Sequence, residues 1–124
     1  MSLSKLSSLV AALLLGSAVP VLAAPPDAAR LYETYCVQCH GSRGNGKGIN
    51  AAHMSTQPRD HSDPKGMGNI PDDELFNAIR GGGISVNKSI LMPAWSSVFS
   101  DEQIHALVRH LRKLCQCGPG SASN

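Results

Sequence analysis

The chain is poor in aromatic residues, with two Phe, two Tyr and one Trp among its 124 residues. That is thin for a compact core, and it leaves room for a bulky apolar group other than a side chain. It also lacks a large excess of charge of one sign: 11 Lys and Arg stand against 9 Asp and Glu, which argues neither for nucleic-acid binding nor for a strongly acidic partner. No segment alternates with period two, and no repeat or low-complexity tract occurs, so strands and solenoids are disfavoured and the class reads as all-α. No apolar run reaches the ~20 residues that a membrane span needs.

What is present begins with an export signal. Lys5 supplies a basic start, Leu9 to Leu15 an apolar stretch, and Val21-Leu22-Ala23 small residues for cleavage. Residues 1–23 are therefore set apart as a signal peptide, which places the mature chain in the periplasm or otherwise outside the cytoplasm, with no stable membrane span once the signal is removed. The remainder suffices for one domain, taken as residues 24–117, followed by a Ser-rich disordered tail at 118–124.

Three helices can be read directly. Asp27 can cap a helix on which Ala28, Leu31, Tyr32 and Tyr35 recur at helical spacing, running into Cys36. Asp72-Asp73-Glu74 opens a second, with Leu75, Phe76 and Ile79 on one face and Gly81 at its stop. The third is specified twice at its start: Ser100 and Gln103 form a capping box, and Phe99 and Ile104 stand at hydrophobic-staple positions. Ile104, Leu107, Val108, Leu111 and Leu114 continue it as an apolar stripe, with Gly118 and Pro119 expected to end it. Between the first two helices, the glycine-rich run 41–48 and the stretch 49–69 read as long loops wrapped over something.

Cys36-Val37-Gln38-Cys39-His40 carries the chemistry. Two thiols at this spacing followed at once by an imidazole match covalent attachment of haem. On a helical turn the three side chains stand at i, i+3 and i+4, so both sulfurs can meet the vinyl groups while His40 reaches iron. A thioredoxin-like pair would need a βαβ pattern, and a zinc site a second ligand pair nearby; neither context is found.

A haem bound by one His has a sixth position, for which Met54, Met67, Met92, His53 and His61 are candidates. Met92 is favoured, because Pro93 keeps it out of helical conformation just ahead of a well-capped helix. Met67, between Gly66 and Gly68, is the main rival, with surface or gap-filling Met as its ordinary role. His53 and His61 would give bis-histidine ligation, whereas an isolated loop histidine is more often solvated or hydrogen bonded. Cys115 and Cys117 are left over. A bond between residues two apart needs an unusual turn, so an intermolecular disulfide or a frayed free pair is the alternative expectation.

In this order of features the chain resembles a class I c-type cytochrome, the monohaem cytochrome c family, over roughly residues 25 to 115. The resemblance implies a small fold of three to four helices and long loops around one covalently bound haem c per chain. It implies thioether attachment at Cys36 and Cys39, axial ligation by His40 and Met92, and crossing of the first and last helices. Members usually carry Gly where Ala28 stands and an aromatic near His110; here His110 is expected to stack in place of a larger ring. A carbonyl near a proline commonly accepts from the proximal imidazole, with Pro58 as candidate. Arg59 is a candidate for meeting a propionate, and Trp95 for packing on the haem edge.

The implied role is one-electron transfer between a redox donor and acceptor, as a monomer or in transient complexes, without catalysis. Arg43, Lys47 and Lys88 would ring the docking face. The alternatives are a haem-based small-ligand binder with a labile sixth ligand, and a small electron-transfer subunit of a larger oxidoreductase.

Overall fold

The best-specified helix is the one on which the rest of the molecule packs. A computed structural model describes residues 27–118, and in it α5 spans Asp101–Cys115. The Ser100 hydroxyl accepts from the Gln103 amide at 3.2 Å while the Gln103 side chain accepts from the Ser100 amide at 2.9 Å, closing the capping box. Phe99 and Ile104 are both buried, as a staple requires. Ile104, Leu107, Val108 and Leu111 are all buried in the core, at roughly 1.5–3 kcal/mol of hydrophobic stabilisation for each large side chain.

Helix α1, Ala28–Tyr35, begins where the Asp27 carboxylate accepts from the Arg30 amide at 3.2 Å. It packs against α5, and Tyr32 meets the His110 ring at 5.1 Å between centroids. The two rings are tilted by 49°, so His110 meets Tyr32 in contact but without the stacking expected of it. Helix α2, Val37–His40, follows after one residue, Cys36. Helix α4, Asp72–Gly81, also packs on α5, burying Leu75 and Ile79.

The stretch 49–69 is more ordered than its sequence suggests. A 3₁₀ turn occupies Ala51–His53, and a short helix, α3, occupies Pro64–Gly68. The reason for α3 is local: the Asp63 carboxylate accepts from the Lys65 amide at 3.0 Å, and Pro64 fills the first helical position, where no amide proton is required. The described residues therefore form five α-helices, two of them very short, with no strand among them. None of these helices is long and apolar enough to cross a membrane.

The C-terminal end departs from expectation. Cys115 and Cys117 are joined to each other in a disulfide, and both are buried in the main core cluster rather than frayed or available to a second chain. The turn that makes this possible is at Gln116, which ends α5 in left-handed conformation at φ 50° and donates its amide to the Lys113 carbonyl. The signal peptide assigned to residues 1–23 and the tail beyond Gly118 lie outside the described residues.

Candidate functional site

The Cys-His motif is placed by a helical turn bridging α1 and α2. The His40 amide donates to the Cys36 carbonyl at 2.9 Å, which sets Cys36, Cys39 and His40 on one turn, as their spacing predicts. Both thiols are free and half-buried. Burial, with the neighbouring Cys39 adding to it, pushes the Cys36 thiol up to about 11 and holds it protonated at neutral pH.

His40 is oriented from behind. Its Nδ1 lies 3.0 Å from the Arg59 carbonyl, and because a carbonyl can only accept, Nδ1 carries the proton and Nε2 presents its lone pair. The acceptor is thus one residue beyond the expected Pro58. The Pro58 carbonyl is turned instead toward Gly46, whose absent Cβ would stand 2.7 Å from it. Gly46, at φ +72°, lets the two stretches of backbone approach closely enough to aim Arg59 at the imidazole. The Arg59 side chain itself is exposed.

His61 is no solvated loop histidine. It is 8% exposed, its Nδ1 shares a 3.0 Å hydrogen bond with the Tyr32 hydroxyl, and its ring stacks on His40 at 4.1 Å between centroids and 16° between planes. Burial holds it well below the ordinary imidazole value, with His40, Arg59 and His110 adding to the effect. His40 is lowered chiefly by burial as well, partly offset by its bond to Arg59. Nothing in the sequence pairs residues 40 and 61; the signal available was only that a histidine stood in the loop beyond Pro58.

The other candidates separate by position. His53 is exposed and Met54 half-buried, both in the segment tied to α2, where the Asn50 amide donates to the Gln38 carbonyl at 2.9 Å. Met67 is fully buried within α3 and belongs to the core cluster, so the flexible loop between two glycines expected around it is replaced by a packed helix.

Met92 stands on a separate, irregular stretch that is firmly braced. Its carbonyl accepts from the Gly83 amide at 3.0 Å, and the Trp95 amide donates to the Ile79 carbonyl at 3.0 Å. Gly82, at φ +75°, permits this approach, since a Cβ there would lie 2.8 Å from the Met92 carbonyl oxygen. Met92 and Cys36 both pack on the flank of the core cluster. Trp95 stacks on Phe99 at 5.4 Å and meets Tyr35 edge-on at 5.6 Å.

Helices of this order around a Cys-x-x-Cys-His turn with a backbone-anchored imidazole define a c-type cytochrome. A family model described as Cytochrome C oxidase, cbb3-type, subunit III matches residues 23–111, and the chain belongs to that family. Among solved structures it is similar to the KustC0563 c-type cytochrome, with 22% identity and a TM-score of 0.59 over 72% of this chain and 98% of that one. It is also similar to a chain of the Kuenenia stuttgartiensis reducing HAO-like protein complex Kustc0457/Kustc0458, with 23% identity and a TM-score of 0.57. That match covers 72% of this chain and 41% of the other. A comparison with curated proteins finds no match.

Such a family implies covalently bound haem c, and the residues present fit it. Two free thiols and an imidazole whose Nδ1 proton is taken by backbone, leaving the Nε2 lone pair for a metal, share one turn. Large apolar side chains stand exposed in the segments that carry the two candidate ligands: Ile49, between Gly48 and Asn50, whose amides bond the Cys39 and Gln38 carbonyls, and Ile90, two residues before Met92, are each 77% exposed, and Ile84 and Leu91 are exposed too. Apolar residues left in water at just these places suit a flat, apolar macrocycle.

Proposed function

We propose that this chain is a monohaem c-type cytochrome that carries single electrons between redox proteins outside the cytoplasm. Cys36 and Cys39 hold the haem through thioethers, and His40 and Met92 are its axial ligands. The observation that carries the reading is the Nδ1 bond of His40 to the Arg59 carbonyl, which fixes the tautomer needed by a proximal ligand and raises its basicity. One haem per chain follows from the single Cys-x-x-Cys-His motif, with the other two cysteines consumed by their own disulfide.

When bound, haem with a His/Met ligand pair supplies a one-electron couple of raised potential. This chain's residues do the rest. His40 is oriented by backbone, Met92 is presented on a braced loop, and the exposed Ile49, Ile84, Ile90 and Leu91 supply apolar surface for the macrocycle to cover. Arg43, Lys47 and Lys88 are exposed and suited to steering a partner of opposite charge. In this reading residues 1–23 are the export signal and the haem domain begins at residue 24.

The test is spectroscopic. Purified protein matured in a cytochrome c-competent host should retain its colour in acid acetone and show a sulfur-to-iron band in the near infrared when ferric. Met92→Ala should abolish that band and open the site to carbon monoxide; retention of the band in Met92→Ala with its loss in Met67→Ala would reverse the assignment.

A second reading, a subunit of a larger oxidoreductase, is favoured by the family description, which names an oxidase subunit. It is distinguished by association with redox partners: a shuttle dissociates as salt rises, whereas a subunit co-purifies at high ionic strength.

A further inference from the structure

The hydrogen bond from His40 to Arg59 restrains only one edge of the ligand ring. Rotation of a histidine ring about Cβ–Cγ is a broad torsion, so a single bond at Nδ1 leaves the imidazole free to rock about the line from Cγ to the carbonyl. Something must press on a ring face if the plane is to be fixed. His61 does so, lying nearly parallel to His40 at 16° and 4.1 Å.

His61 is itself immobilised by contacts to two residues, Gly44 and Tyr32. Its amide donates to the Gly44 carbonyl at 2.5 Å, its Nδ1 bonds the Tyr32 hydroxyl at 3.0 Å, and its ring meets that of Tyr32 edge-on at 5.9 Å. Tyr32 is buried in the core and packs on His110 of α5. A continuous path of packed rings therefore runs from α5 through Tyr32 and His61 to the face of His40.

We propose that His61 is a positioning residue for the axial ligand: pinned by Tyr32, it sets the rotational orientation of the His40 plane and so the electronic asymmetry of the metal centre. The proposal rests on His40 being the proximal ligand. It assigns no contact between His61 and iron or substrate; His61 acts through His40 alone.

The experiment uses the holoprotein. In the ferric state the order and spread of the paramagnetically shifted haem methyl resonances follow the orientation of the axial imidazole plane. His61→Ala should change that pattern, and His61→Phe, which restores a flat ring without a bond to Tyr32, should return it toward wild type. Unchanged methyl shifts in His61→Ala, or no return in His61→Phe, overturn the proposal even if thermal stability falls. If His61→Ala yields no holoprotein, His61→Leu decides: loss of the flat ring should move the methyl shifts, and an unmoved pattern overturns the proposal. Failure of the underlying reading is separately visible, because wild-type protein would then lack the low-spin His/Met spectrum altogether.

Discussion

The guanidinium of Arg112, in the last turn of α5, reaches the carboxylate of Asp72 at the start of α4, with Nη2 at 2.7 Å from Oδ1. The same group donates to the carbonyls of Met67 and Ile70. One largely buried cation thus ties the ends of α3, α4 and α5 together, although its place on the helix surface marks it only as a cation suited to the helix dipole.

Removing it takes the guanidinium donor from the Ile70 carbonyl and leaves Met67 to accept from backbone amides alone. Arg112→Ala is expected to cost about 2–4 kcal/mol, and Arg112→Lys to recover less than half, because an ammonium cannot span the same fork of acceptors. Chemical denaturation followed by far-ultraviolet circular dichroism measures both. Asp72→Ala should cost less than Arg112→Ala, since the carboxylate is half in water.

Gly82→Ala tests the bracing of the Met92 loop. A side chain at φ +75° meets the Met92 carbonyl at 2.8 Å and the Ala94 amide at 2.9 Å, so the loop must shift. The expected loss is about 1–3 kcal/mol. A weakened near-infrared sulfur band should accompany it, whereas Met67→Ala should cost about 2–5 kcal/mol as a core cavity and leave the band intact.

Acid should destabilise the fold through His61. Its folded-state pKa lies well below 6.5, so between the two values the unfolded chain binds a proton that the folded chain does not. The contribution is complete above pH 6.5 and is lost as pH falls below it, by up to ~1.4 kcal/mol per pH unit for one proton. Thermal midpoints measured from pH 7 to 5 should fall, and fall less in His61→Phe.

Thiol titration checks the cysteines together. Denatured, unreduced holoprotein should give no free thiol, and reduction should release two, from Cys115 and Cys117. The bond itself contributes no more than about 2 kcal/mol of chain entropy, because the closed loop is very short, so replacing both by Ala should cost that plus a small core cavity and should leave the haem attached.

Much of this architecture is legible locally. The capping box at Ser100, the cap at Asp27 and the i, i+3, i+4 placement of Cys36, Cys39 and His40 depend on residues within one turn of each other, and the structure has all of them. Asp63-Pro64 carries an equally local signal, an N-cap followed by proline, that the surrounding glycines obscured. The contacts that escaped are between residues far apart in sequence: Arg59 with His40, His61 with Tyr32, and Arg112 with Met67. No periodicity encodes such pairings. The Cys115–Cys117 bond depends on a left-handed Gln116, a conformation that side chain does not advertise.

The bracing of the two ligand candidates is separate. His40 is held by the stretch from Gly44 to His61, and Met92 by the stretch from Ile79 to Trp95. The two stretches share no backbone hydrogen bond among those that brace them, and they meet only through the rings and side chains of the common core. A change in the length or sequence of the Met92 loop would therefore be felt first at Gly82, Gly83 and Ile79, and would leave the backbone that orients His40 untouched.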